Sequence, residues 1–201
     1  MKNSIYIFVV ALATIFVSCQ SNAHRDQHNL IPEEQVDSFP ETSIFNIEHK
    51  WLNQFGDTIQ LKDLAGQPIV MAMIYTSCNF SCPRIVADMR EIESLVPNDQ
   101  VDDIHFVLIS IDPEVDQPDT LKAFMIKNVM DENRWTLLTG TTDQIQDIAA
   151  VLGFKYKKST LMDYAHSNLI TEFDKQGNWL HQTEGFDGDK KEIVRILLEA
   201  L

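Results

Sequence analysis

Cysteine is scarce in this chain of 201 residues, with three in all, and positive charge is scarce too. Lys and Arg number 16 against 30 Asp and Glu, a formal net charge of −14. That shortage argues against nucleic acid as a partner, because phosphate contacts are supplied by Lys and Arg. It favours solubility and leaves room for a basic protein partner, but it does not bear on fold. No internal repeat is present. The longest nearly apolar run, Ile5 to Val17, has 13 residues and is too short to span a bilayer comfortably.

What that run does fit is the apolar region of a signal peptide. Lys2 supplies the basic start, and Phe16-Val17-Ser18-Cys19 follows. The tetrapeptide resembles a lipobox, with Phe where Leu is usual. The expected organisation is a lipoprotein-type signal peptide over 1–18, lipidation of Cys19, a polar tether over 19–42 and one domain over 43–201. A plain signal peptide and an uncleaved anchor are the alternatives. In each case the domain is exported, where disulfides form and persist. The expected location is the membrane surface, facing the periplasm or the cell exterior.

With Cys19 assigned to the leader, the domain has its whole thiol supply in Cys78-Asn-Phe-Ser-Cys82-Pro83. The preceding run, Ile69 to Tyr75, is continuously apolar and reads as a strand buried on both faces. Pro83 is suited to the first position of a helix, and Ile85, Met89, Ile92 and Leu95 continue at helical spacing. Ile104 to Ile111 reads as a second buried strand. Asp119 or Thr120 is expected to cap a helix reaching Asn128, and Trp135 to Leu138 forms a short third strand. A helix after Thr141 ends at Gly153. Asn168–Phe173 and Trp179–Thr183 flank a hairpin turn at Asp174-Lys-Gln-Gly177-Asn, and a last helix covers about 188–200. Upstream, Gln54-Phe55-Gly56-Asp57 looks like another hairpin turn. The order predicts an α/β, thioredoxin-like fold: a central mixed sheet flanked by helices.

That topology brings separated residues to one rim. Cys78 and Cys82 follow one parallel strand, and Asp112 ends the next. The first strand of the final hairpin should start at the same rim, with His166-Ser167. Residues 155–165 read as a long, Lys-rich, mobile loop leading to it. Thiolates select Cu(I), zinc or iron–sulfur clusters, and imidazole suits copper and zinc. Structural zinc usually takes four protein ligands, and only three are evident. A low-coordinate set of two sulfurs and one nitrogen suits Cu(I) and tolerates Cu(II). The start of a helix should also lower the thiol pKa. An inert disulfide is the plain alternative. His105 and His181 read as structural or surface residues, and His24 and His28 as tether residues able to bind metal only adventitiously. Met71, Met73 and Met89 fall on core patterns, and 112–118 can serve simply as a rigid capped loop.

Several ordered motifs together resemble the Sco/SenC family. They are Cys78-x₃-Cys82-Pro83, Ile111-Asp112-Pro113-x-x-Asp116-x-Pro118-x-x-Leu121, Leu138-Thr139-Gly140, Leu152-Gly153-Phe154-x-Tyr156 and His166-Ser167. The resemblance covers about 45–200. It implies a thioredoxin fold with an N-terminal hairpin and an inserted helix, and copper, Cu(I) or Cu(II), held by Cys78, Cys82 and His166. Asp112 and Asp116 would stand behind those ligands. It further implies delivery of copper to the binuclear copper centre of a cytochrome c oxidase subunit, or reduction of that subunit's cysteines. Another exported copper protein and a thiol reductant are the other implied partners. Asn79 stands where the family often has Pro, and Ala165 where an acidic residue often precedes the histidine.

The rival reading is an exported, membrane-anchored thiol–disulfide oxidoreductase without copper delivery. The cysteine spacing is C-x₃-C rather than C-x₂-C. Thioredoxin-like reductants also place a cis-proline before the final hairpin strand, and this chain has no proline after Pro118. A peroxiredoxin would need its Pro and Thr where Met71 and Tyr75 stand. An interaction module with an incidental disulfide leaves His166 unexplained.

Overall fold

The structure, a computed structural model, describes residues 39–78, 81–160 and 163–201. The leader, Cys19, His24, His28 and Asn79 lie outside the described residues. Phe39 to Thr42, ahead of the expected boundary at 43, already belong to the fold: the Phe39 ring sits edge-on to Phe45 at 5.1 Å.

A short hairpin comes first, β1 (Trp51–Asn53) and β2 (Thr58–Ile59), turned through Gly56 at a φ of 84°. Then follow β3 (Ile69–Ile74), α1 (Ser81–Leu95), β4 (His105–Ser110), α2 (Pro118–Lys127), β5 (Trp135–Thr139) and α3 (Thr142–Val151). A two-stranded ribbon, β6 (Tyr156–Lys158) and β7 (Tyr164–His166), precedes the final hairpin, β8 (Leu169–Phe173) and β9 (Trp179–Glu184), and α4 (Lys190–Glu199) closes the chain. The main sheet has seven strands in the order β2-β1-β5-β4-β3-β8-β9. β3, β4 and β5 are parallel, while β8 runs antiparallel to β3. This is the mixed sheet of a thioredoxin-like fold. No helix among the described residues is long and apolar enough to cross a membrane.

Burial explains the order. Every residue of β3, β5 and β8 is buried, because helices cover the sheet and neighbours flank these strands. Met71, Met73 and Met89 are core residues, as their pattern predicts. α1 sets Ile85, Met89 and Ile92 against the sheet and packs on α4. Leu95, read as the next turn of that stripe, is instead 39% exposed at the helix end.

Helix ends differ in detail from the sequence reading. α1 begins by Ser81, so Pro83 is its third residue, still within the turn whose N–H groups have no helical partner. α2 is capped by Gln117 with Pro118 first, ahead of Asp119, since Pro is pre-set for that position. α3 carries a capping box in which Thr141 and Gln144 bond reciprocally, and Gly153 takes a φ of 65° after its end. At the β8–β9 turn Gly177 has a φ of 77°, and a Cβ there would lie 2.5 Å from Ser43 Oγ, so the backbone approach requires glycine.

The segment expected to be a mobile loop is the β6–β7 ribbon. Tyr156 pairs with His166, Lys157 with Ala165 and Lys158 with Tyr164. The alternation Tyr156-Lys-Lys158 against Tyr164-Ala-His166 turns aromatic rings to one face, and that is strand chemistry hidden by the lysines. His166 therefore ends β7 rather than starting β8.

Candidate metal centre

β3 delivers its last apolar residues into a tight turn. Tyr75 is buried, and its carbonyl accepts the Cys78 N–H at 3.3 Å. Thr76 is fastened from behind by Asp116, which accepts its N–H at 3.0 Å and its hydroxyl as well. Cys78 then points at the start of α1, where the Cys82 N–H donates to its sulfur at 3.4 Å. Cys82 Sγ accepts the Tyr75 N–H at 3.4 Å. Both cysteines are reduced and buried, Cys82 completely.

The β6–β7 ribbon brings the imidazole. His166 Nδ1 lies 2.7 Å from the Ser167 carbonyl, so Nδ1 carries the proton and Nε2 keeps its lone pair. Nε2 lies 3.7 Å from Cys82 Sγ and accepts the Ser81 hydroxyl at 2.9 Å. The Phe154 ring stacks on the imidazole with centroids 5.8 Å apart, and Tyr75 meets it edge-on at 5.7 Å. Cys78 Sγ, Cys82 Sγ and a His166 nitrogen all lie within 4.8 Å of one another. It is the single group of three such donors among the described residues.

The ribbon is tied down by polar contacts. Tyr75 Oη donates to Asp163, and the Tyr164 N–H donates back to Tyr75 Oη at 3.3 Å. Tyr164 Oη donates to Asp112 at 3.1 Å, and Lys158 bridges to Glu114 at 3.7 Å. Asp112 and Asp116 are both buried, and their hydrogen bonds go to Tyr164 and to Thr76 and Ser110. Asp112 anchors the ribbon, and Asp116 anchors the turn before Cys78.

Electrostatics correct one expectation. Burial pushes the Cys82 thiol well above the usual thiol range, against the opposing Tyr75 N–H. The helix start does not outweigh that desolvation. Cys82 therefore keeps its proton at neutral pH until a cation displaces it. Burial, then the bond to Asp163, also pushes the Tyr75 phenol up, so Tyr75 remains a neutral donor. Asp116 is raised by burial despite its hydrogen bonds.

The other described histidines bond elsewhere. His105 bonds Thr136 Oγ1 at 2.8 Å, and burial lowers its pKa to about 4. His181 bonds Glu172 at 2.9 Å and His49 bonds Asp147 at 3.0 Å. Sequence reasoning placed Ser167 beside His166 in a motif without giving it a role, and among the residues it missed were Ser81, Tyr75 and Asp163. Only Tyr75, polar at the end of an apolar strand, carried a signal.

The donor chemistry fits a soft cation: two sulfurs and a neutral imidazole nitrogen, with the second nitrogen held by a carbonyl. Known proteins agree on the lineage. The SCO1 protein homologue of Bacillus subtilis (strain 168) is 29% identical over 103 residues, which is 51% of this chain and 53%, about half, of that protein. Bradyrhizobium japonicum ScoI, solved with copper bound, superposes with a TM-score of 0.65 at 24% identity, covering 76% of this chain and 96% of that one. BsSco, a member of the Sco family of cytochrome c oxidase assembly proteins in which a disulfide switch was identified, gives 0.67 at 24% identity over 76% and 90%. These structural likenesses carry the fold. The SCO1/SenC family model matches residues 38–201, the whole of the described domain, and on that match the chain belongs to the SCO1/SenC family.

Proposed function

We propose that the domain is a metallochaperone that binds copper as cargo through Cys78, Cys82 and His166 and passes it to an exported copper protein. The observation that carries this reading is the convergence of two sulfurs and one imidazole nitrogen within 4.8 Å, from residues 84 positions apart. Soft sulfur donors select Cu(I), and imidazole completes a low-coordinate set. On binding, each cysteine gives up its proton, while His166 needs none removed because its proton sits on Nδ1 against Ser167. Phe154 stacks on one imidazole face and Tyr75 packs edge-on against the ring, holding His166 in place.

The family, and the oxidase-assembly role of BsSco, support the copper centre of a cytochrome c oxidase subunit as the client. The same pair of thiols could instead reduce that subunit's cysteines; the position of His166 favours copper, since thiol exchange has no need of an imidazole lone pair beside Cys82. A thiol reductant must keep the pair reduced. We further propose that Cys19 is lipidated after cleavage and anchors the protein at the membrane, on the evidence of the short apolar run ending at Ser18-Cys19.

The test is an anaerobic Cu(I) titration of the reduced domain against a competing chelator. One tightly held equivalent is expected, and Ser at either Cys78 or Cys82 should abolish it. Unchanged affinity in both single variants overturns the site. For the anchor, Cys19→Ala in the full chain should block processing and lipid labelling; a labelled variant overturns it.

A further inference from the structure

We infer that Ser81 supplies a fourth, oxygen donor position in the metal centre and sets its tolerance for the harder copper ion. The inference rests on the copper reading above and deepens it. Ser81 precedes Cys82 in the first turn of α1, and its hydroxyl is already inside the donor cluster. Ser81 Oγ lies 2.9 Å from His166 Nε2 and 3.7 Å from Cys78 Sγ, while Nε2 lies 3.7 Å from Cys82 Sγ.

Those separations are the ones expected of donors sharing an ion. With metal–nitrogen and metal–sulfur bonds of about 2.0 and 2.3 Å, neighbouring ligand atoms stand roughly 3–4 Å apart. The tautomer adds direction. Ser167 holds the proton on Nδ1, so the Nε2 lone pair accepts the Ser81 hydroxyl hydrogen, and the two heavy atoms face one another. A cation that takes the Nε2 lone pair must displace that hydrogen, and because the two atoms are only 2.9 Å apart it sits beside the line joining them rather than on it. A rotation of the Ser81 side chain then turns its oxygen toward the ion. Because Ser81 is the donor in this bond, its oxygen lone pairs are not used in it and are available to the ion once the hydrogen turns away.

Hydroxyl oxygen is a hard, weak donor. Cu(I), satisfied by two sulfurs and one nitrogen, gains little from it; Cu(II), which favours four nitrogen and oxygen-rich positions, gains more. Ser81 therefore acts on which oxidation state is retained rather than on whether copper is bound. It also makes the position one atom away from a third thiolate: Ser81→Cys creates the three-cysteine, one-histidine set typical of structural zinc.

The experiment uses the soluble domain with wild-type sequence, Ser81→Ala and Ser81→Cys. Cu(I) affinity is read by chelator competition, Cu(II) by competition and by electron paramagnetic resonance, and Cd²⁺ by thiolate charge-transfer absorption. For Ser81→Ala, Cu(II) binding should weaken about tenfold with altered hyperfine splitting, while Cu(I) affinity stays within about threefold. For Ser81→Cys, Cd²⁺ should bind more tightly, with the absorption of an added thiolate. An unchanged Cu(II) spectrum and affinity in Ser81→Ala overturns the inference. Equal weakening of both ions also overturns it, because the hydroxyl would then only position His166. So does Ser81→Cys binding Cd²⁺ with the wild-type spectrum. Failure of the wild-type domain to bind Cu(I) at all would instead remove the copper reading itself, and is distinguished by that first titration.

Discussion

The carboxylate of Asp116, fully buried, clamps Thr76 by two hydrogen bonds, one to its N–H at 3.0 Å and one to its hydroxyl. The Ser110 hydroxyl donates to the same carboxylate at 2.6 Å. One side chain from the loop after β4 thereby fixes the end of β3 two residues before Cys78. Replacing Asp116 with Ala leaves these buried donors unpaired, and a loss of about 3 kcal/mol is expected. Asp116→Asn keeps an acceptor and should cost less, about 1 kcal/mol. Chemical denaturation measures both, and Cu(I) competition should show weaker binding in the same order.

Oxidation should gate the site. Diamide takes two electrons and two protons from Cys78 and Cys82 as their sulfurs join, so neither remains as a thiolate ligand. The oxidised domain should keep its circular dichroism spectrum and lose Cu(I) binding. His166→Ala should form the disulfide at a near wild-type rate yet retain copper at least about tenfold less well. A His166→Ala protein that holds copper as the wild type does, and rescues an oxidase-assembly defect at limiting copper, would shift the assignment to thiol reduction.

Glu172 makes stability pH-dependent far from the metal centre. It is fully buried between β3 and β9; Oε2 meets His181 Nδ1 at 2.9 Å, and Oε1 has no hydrogen-bond partner among the described residues. Burial raises its pKa from 4.5 to about 8. The folded state therefore binds more protons than the unfolded chain between these values, and stability falls as pH rises through that window. Glu172→Gln should stabilise the protein at pH 8 by about 1–3 kcal/mol and change little at pH 4, as read from melting temperature against pH.

Val129 follows the end of α2 with a φ of 54° and is 72% exposed. It occupies the left-handed position that ends many helices, with the Met130 N–H bonded to the Met125 carbonyl at 3.1 Å. A β-branched residue is strained there by about 1–2 kcal/mol. Val129→Gly relieves that strain but adds freedom to the unfolded chain, so a net gain of about 1 kcal/mol, or about 2–4 °C in melting temperature, is expected.

Much of this molecule is written in local pattern. The apolar run before Cys78, the Ile85-Met89-Ile92 stripe, Thr141 and Gly153 at the ends of α3, and Gly177 in its hairpin each act through nearest neighbours, so composition and spacing determine strand, helix and turn. The two cysteines flank the passage from β3 to α1 for the same reason. The place of His166 was decided elsewhere. Its approach to Cys82 depends on β6–β7 pairing, on Phe154 stacking and on Tyr75 and Asp112 tying the ribbon down. The Asp112 and Tyr75 ties join residues 52 and 88 positions apart, and no local period encodes them. The raised thiol of Cys82 is equally tertiary, because the helix start is visible in sequence while the desolvation that outweighs it exists only once the sheet and ribbon close around the sulfur. Sequence alone determined which atoms could bind a soft ion; packing decided how they face one another, which nitrogen carries the proton, and that Ser81 stands among them.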